Sequence, residues 1–204
     1  MNWYQWFVVF CMASCSVACF YHFSRLVRMG NPMDFSKKRG NTGKAITYSF
    51  SGAMSPVRKE SAFLHLPTYT AGIFYHLGTF AGMIILVFAL FGIFPSNSIK
   101  FILVIFLLIT GISGASILIK RWVNYRLRAL SNPDDFISNI LVTAFQLSTA
   151  LMLTNVSVLP FYFVISGILL LYLPLGKLKH TVYFFAARYH LGIFYGWRGV
   201  WPPK

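Results

Sequence analysis

The sequence predicts an all-α integral membrane protein, a bundle of five transmembrane helices with its N-terminus outside and its C-terminus in the cytoplasm. Three observations lead there. Long apolar runs recur along the 204 residues, of which 57% are apolar and 11% charged, where a soluble domain carries about 25% charged residues. The acidic side chains number four: Asp34, Glu60, Asp134 and Asp135. Of eighteen Lys and Arg residues, seventeen fall in segments that alternate with the runs so as to share one side, and only Lys100 falls on the other.

Crossing about 30 Å of hydrocarbon takes roughly 20 apolar residues. Five stretches qualify, at about 3–24, 69–94, 101–119, 136–155 and 158–176. Together they form a single membrane domain, 1–204. The first lacks a basic leading segment and exceeds the 7–15 residues usual for a signal peptide, so it is read as a retained span. Its Cys11, Cys15 and Cys19 recur at every fourth position. Small residues on one face of a membrane helix serve close packing, whereas zinc or iron–sulfur ligation favours short spacings in a polar loop.

Short connectors at 95–100 and 155–158 face one side. The loops 25–64 and 120–135 and the tail 177–204 face the other and hold the basic residues, among them Arg58, Lys59, Arg121, Arg126 and Arg128. The positive-inside rule makes that side cytoplasmic, and the membrane is expected to be the inner, cytoplasmic one. A net charge of +14 would point to nucleic acid in a soluble protein, but here topology accounts for it, and the lipid bilayer is the partner it implies. The 25–64 segment, rich in Gly, Ser, Asn and Lys, reads as a loop on the membrane surface or against a partner. The end of the tail, "FYGWRGVWPPK" (194–204), reads as a poor helix and a good extended arm, with tryptophan and arginine as anchors for a docked protein. There is no phosphate-binding glycine loop, no carboxylate pair within a span and no serine–histidine arrangement. Hydrolase chemistry and a carboxylate-relay pump lose their support.

Five histidines occur: His22, His65, His76, His180 and His190. His22, at the end of the first span, suits an interfacial position. His76 lies inside the second span, where an ionisable group is a functional candidate by default. If the second and fifth spans run antiparallel, His76 and His180 come to similar depth, and so do His65 and His190. Two neutral imidazoles from facing helices are what a low-spin haem b iron takes, with the porphyrin between the helices. Phe74, Tyr75 and Phe80 surround one histidine, and Tyr183, Phe184 and Phe185 the other. Gly72 and Gly78 would let a flat macrocycle approach the backbone, and Lys177 and Lys179 would meet its propionates. His65 and His190 stay open between a second haem and contacts to a partner, a quinone or propionates. Pro67 places the helix start near it, leaving His65 just outside.

Three stretches, "FYHLGTFAGM" (74–83), "RLRALSNPDDFISNILVTAFQL" (126–147) and "LYLPLGKLKHTVYFFAARYHLG" (171–192), carry a likeness. Through them the chain resembles the gamma subunit of respiratory nitrate reductases and the related cytochrome b subunit of heterodisulfide reductases. The resemblance implies a five-span cytochrome b whose cytoplasmic-side haem pair corresponds to His76 and His180. The family's outer pair has no counterpart, since Leu86 and Tyr162 stand at those positions. It also implies electron transfer between a membrane quinone such as menaquinone and a cytoplasmic iron–sulfur subunit. No cluster-binding cysteine motif is present, so a partner would complete the enzyme. The alternative is a redox-inert membrane anchor of a multi-subunit complex.

The charge distribution sets a first expected outcome. A C-terminal fluorescent-protein fusion should be bright and a C-terminal alkaline phosphatase fusion silent; the reverse pattern would invert the topology.

Overall fold

The computed structural model describes residues 1–29, 34–55 and 65–203. Among these residues every regular element is helical. The α-helices are α1 (Trp3–Met29), α2 (Thr42–Phe50), α3 (Leu66–Leu90), α4 (Asn97–Val123), α5 (Tyr125–Ala129), α6 (Pro133–Thr154), α7 (Leu159–Tyr172) and α8 (His180–Trp197). Four of them, α1, α3, α4 and α6, are long and apolar enough to cross a membrane. The number becomes five if Val156–Tyr172 and Lys177–Trp197, bent at a short break, count as one span.

Helix ends depart from the apolar runs where capping chemistry intervenes. The second span stops at Leu90 because Gly92 takes a positive φ of 71°. The Ile93 amide then reaches the Phe88 carbonyl at 2.9 Å and the Gly92 amide that of Ala89 at 3.0 Å, the pairing of a Schellman stop. At the other extreme α6 starts three residues before its apolar run. Asn132 caps it, Pro133 takes the first turn and Asp135 returns a bond to the Asn132 amide at 3.0 Å, a capping box. The expected 158–176 span ends early, at Tyr172. Pro174 follows it and cannot continue the helical bonding.

The chain divides into two compact units, Met1–Cys15 with Pro67–Leu178, and Ser16–Leu66 with Lys179–Lys204. In the first, cross-helix contacts fix the order of the helices. Tyr75 meets Thr143 and Gly114, Gly78 meets Thr110 and Gln146, and Gly82 meets Phe145. Tyr75 faces Asn139 and Thr143 while Gly78 and Gly82 face Gln146 and Phe145, and Gly114 and Gly111 of α4 face Thr143 and Leu147, so α3 is parallel to α6 and α4 antiparallel to both. Phe145 faces Tyr162 and Asp134 faces Tyr172, which makes α7 antiparallel to α6. Tyr4 stacks on Phe163 and Phe7 covers Gly167, so the start of α1 runs parallel to α7.

One end of this unit gathers its charge. Asp135, with a side chain 6% exposed, takes Arg121 of α4 at 3.0 Å and pairs with Lys177 beyond α7. Asp134 accepts from Ser138 at 3.2 Å and from the Tyr172 hydroxyl. Lys120 donates to Thr68 at 2.8 Å, closing the start of α3 onto the end of α4. Lys100 lies in the first turn of α4, at the opposite end of that helix.

The second unit corrects two readings. The 25–64 segment is not wholly loop: α1 continues to Met29, and α2 forms an Asn41-capped helix at 42–50. The 194–204 tail is not an extended arm: α8 stays helical through Trp197, and the Val200 and Trp201 amides turn back to the Tyr195 carbonyl. The two helices pack antiparallel at close range. A Cβ on Gly192 would sit 2.5 Å from the Ile46 Cα, and one on Gly196 would sit 2.6 Å from the Ala45 Cβ. The anchors expected for a partner serve the chain itself. The Trp197 indole donates to the Ser36 carbonyl at 2.7 Å, the Arg39 amide to the Trp197 carbonyl at 2.8 Å, and Trp201 lies 4.6 Å from the Tyr195 ring. Asp34 pairs with Arg198 at 2.9 Å. Bonds from the Ser36 hydroxyl and amide, with Arg198 beside them, hold the Asp34 carboxyl below its usual range. Arg58, Lys59 and Lys204 lie outside the described residues.

The charged end of the first unit should be the costliest to disturb. Asp135→Ala removes the anion between two cations and half the capping box, at about 1–3 kcal/mol given the partial exposure of Arg121 and Lys177. Asp135→Asn keeps an acceptor for the Asn132 amide and should cost less. Thermal unfolding in one detergent checks both; equal losses would mean that the charge contributes nothing.

Candidate functional site

His76 belongs to the first unit and lies on α3, its ring exposed on the surface of the bundle beside exposed Ile73, Leu77 and Phe80. Its Nδ1 is 2.7 Å from the Gly72 carbonyl one turn back. A carbonyl oxygen only accepts, so Nδ1 carries the proton, and in the neutral ring Nε2 holds the lone pair. Metal-bound imidazoles are oriented by this kind of tether.

The neighbouring glycines separate into two roles. A Cβ on Gly72 would meet nothing within 4 Å, so the surface next to the imidazole is open there. On Gly78 it would fall 2.1 Å from Thr110 Oγ1 and 2.8 Å from Gln146 Oε1. Gly78 therefore serves helix packing and not the approach of a macrocycle. Tyr75 likewise turns inward, donating to the Asn139 carbonyl at 2.9 Å and sharing a 3.0 Å bond with Thr143.

His180 belongs to the second unit. It is the first residue of α8 and is exposed. Lys179 precedes it, its ammonium 5.9 Å from the Tyr183 ring. Phe184 and Phe185, expected beside it, pack in part on Phe50, with ring centres at 6.3 and 6.1 Å. Lys177 is committed to Asp135.

The other histidines have distinct settings. His190 puts Nε2 3.2 Å from the carbonyl of Leu26. That carbonyl lies in the last turn of α1, where helical carbonyls lack amide partners, so His190 caps it and the proton sits on Nε2. Only Nδ1, the nitrogen nearer the backbone, would remain for a metal or a quinone. His65 is exposed in the turn before α3, as the proline position implied. Among the described residues no hydrogen bond or ring contact joins it to His190. His22 is half-buried against Tyr21, with ring centres at 5.8 Å. Cys11 and Cys15 are buried, as packing residues would be. No group of three or more metal-ligating side chains forms among the described residues, and haem ligation by two histidines would not require one.

One feature was missed from sequence, a buried polar network on α6. Gln146 donates at 2.8 Å to both the Tyr75 carbonyl and Thr79 Oγ1, while Thr143 donates to Asn139 at 3.2 Å. The signal lay in the three- and four-residue spacing of Asn139, Thr143, Gln146 and Thr149 within an apolar run.

Comparison with protein-family models, curated proteins and solved structures gives no match. The likeness to nitrate reductase gamma subunits accordingly rests on the three sequence stretches.

The His190 bond has a measurable consequence. His190→Ala should cost about 0.5–1.5 kcal/mol and speed amide hydrogen exchange in the last turn of α1. Unaltered exchange there would show that the cap is not made in solution.

Proposed function

We propose that the chain is the haem b-carrying membrane subunit of a quinone-linked oxidoreductase, with His76 and His180 as the axial ligands of one haem. The observation that carries this reading is the tethered His76 imidazole on an apolar, membrane-length helix, its Nδ1 proton given to the Gly72 carbonyl. A polar ring placed there is costly, and ligation is the use that returns the most for it. Open space at Gly72 supports the approach of a flat group, and the exposed Phe80 and Ile73 offer apolar surface to it.

His180 would supply the second nitrogen from the start of α8. Lys179, beside it, would meet a propionate, whereas Lys177 is held by Asp135. With its Nε2 occupied by the Leu26 carbonyl, His190 favours a count of one haem over two. When bound, the haem supplies reversible one-electron chemistry at its iron. The chain's own residues orient the imidazoles and keep the surroundings apolar. The basic end, with Arg121, Arg126 and Arg128, is assigned to the cytoplasm, where an iron–sulfur subunit of the heterodisulfide reductase kind would exchange electrons with membrane quinone through this subunit.

Purified protein should show the paired absorption bands of low-spin haem b at about one haem per chain. His76→Ala and His180→Ala should each lose the haem or turn it high-spin, while His22→Ala and His190→Ala should retain it. Gly72→Leu should lower haem content without lowering the unfolding temperature of the haem-free protein. A haem-free wild type would favour the inert anchor, and a normal low-spin spectrum in His76→Ala would overturn the ligand assignment.

A further inference from the structure

The second unit carries a charge pattern that neither haem ligation nor electron transfer uses. After Asp34 come Lys37, Lys38, Arg39 and Lys44, all exposed. Asp34 is the sole acidic side chain among the described residues of this unit, and Arg198 already pairs with it at 2.9 Å. The four cations have no carboxylate partner among the described residues. Lys38 lies over the Trp197 ring at 5.6 Å. Phe35 sits beside them with 90% of its surface exposed.

This segment is pinned. The Arg39 amide bonds the Trp197 carbonyl at 2.8 Å, and the Trp197 indole bonds the Ser36 carbonyl at 2.7 Å. Gly40 packs so closely that a Cβ there would lie 2.5 Å from the Gly196 carbonyl. An ordered backbone thus presents a bare aromatic ring next to a run of three cations. Covalent reach supplies the rest. The membrane-length helix α1 ends at Met29, and six residues of chain extend at most about 22 Å, so Phe35 stays near the end of a span. Arg25 and Arg28, both exposed in the last turns of α1, lie at that same end.

We infer that Phe35, Lys37, Lys38, Arg39 and Lys44 form a binding surface for anionic phospholipid, the ring entering the headgroup–acyl boundary and the cations meeting phosphate. Polybasic segments next to a span are attracted to an anionic leaflet over about a Debye length, and aromatic rings settle at that depth. An acidic protein would satisfy the cations, but the bilayer is already within reach of the segment.

Trp197, inside the patch, and Trp201 report on it. The full chain is reconstituted in nanodiscs whose brominated lipid is phosphatidylglycerol or phosphatidylcholine at the same mole fraction. The contribution of these two tryptophans is isolated by subtracting the Trp197→Phe/Trp201→Phe protein. Brominated phosphatidylglycerol should quench them several-fold more than brominated phosphatidylcholine. That preference should vanish in the Lys37→Gln/Lys38→Gln/Arg39→Gln/Lys44→Gln variant and, for the wild type, in high salt. Equal quenching of the wild type by both lipids at low salt would overturn the inference and leave the cations to an acidic protein. So would a preference that survives removal of the four charges.

Discussion

The first unit depends on a requirement set by its solvent. Within hydrocarbon no water replaces a broken hydrogen bond, so each polar group on a buried face has to find a partner on a neighbouring helix. The Gln146 amide nitrogen meets that requirement with two bonds into α3, and Tyr75 answers with two into α6, while Gln146 Oε1 is left without a partner among the described residues. Such bonds are individually modest, averaging about 0.6 kcal/mol in membrane bundles. Their effect is on register. Sliding α3 along α6 by one turn would break these four bonds at once, and Gly78, Gly82 and Gly114 would no longer oppose the side chains that fill their space.

Charge acts at the end of the same helix. Two of the chain's four carboxylates are adjacent at the start of α6, where the helix dipole favours negative charge. From there they hold the end of α4 through Arg121 and the region after α7 through Tyr172 and Lys177. The polar interior fixes height, and the carboxylates gather the helix ends. Neither could substitute for the other, since an ion pair placed at the level of Gln146 would carry the full desolvation penalty of the hydrocarbon.

Apolar runs made the long helices legible, because length and hydropathy are properties of single segments. Their ends were less so. Asn132–Pro133 and Gly92 moved boundaries by local capping, a signal present in the residues but weaker than the runs beside it. The helix at 42–50 was hidden, since "TGKAITYSF" is short and ordinary in composition and is stabilised by α8 packing against it through Gly192 and Gly196. At the candidate site, His76 could be singled out because a polar residue in an apolar run is conspicuous. The role of His190 could not, because its partner is a main-chain carbonyl 164 positions away, and main chain has no sequence signature. Gly72 and Gly78 looked alike in sequence and differ only in what lies opposite them.

The break after Tyr172 bears on the lipid as much as on the protein. The α7 helix has 14 residues and rises about 21 Å, against about 30 Å of hydrocarbon. If α7 crosses without the bent segment Lys177–Trp197, the difference of roughly 9 Å has to be met by the bilayer or by the turn that follows. Acyl chains beside α7 would compress while those beside α4, at 27 residues, stay extended. The annulus would then be uneven in thickness along that side. Short or unsaturated chains should collect along that side, making the protein selective for its lipid neighbours by length as well as by charge.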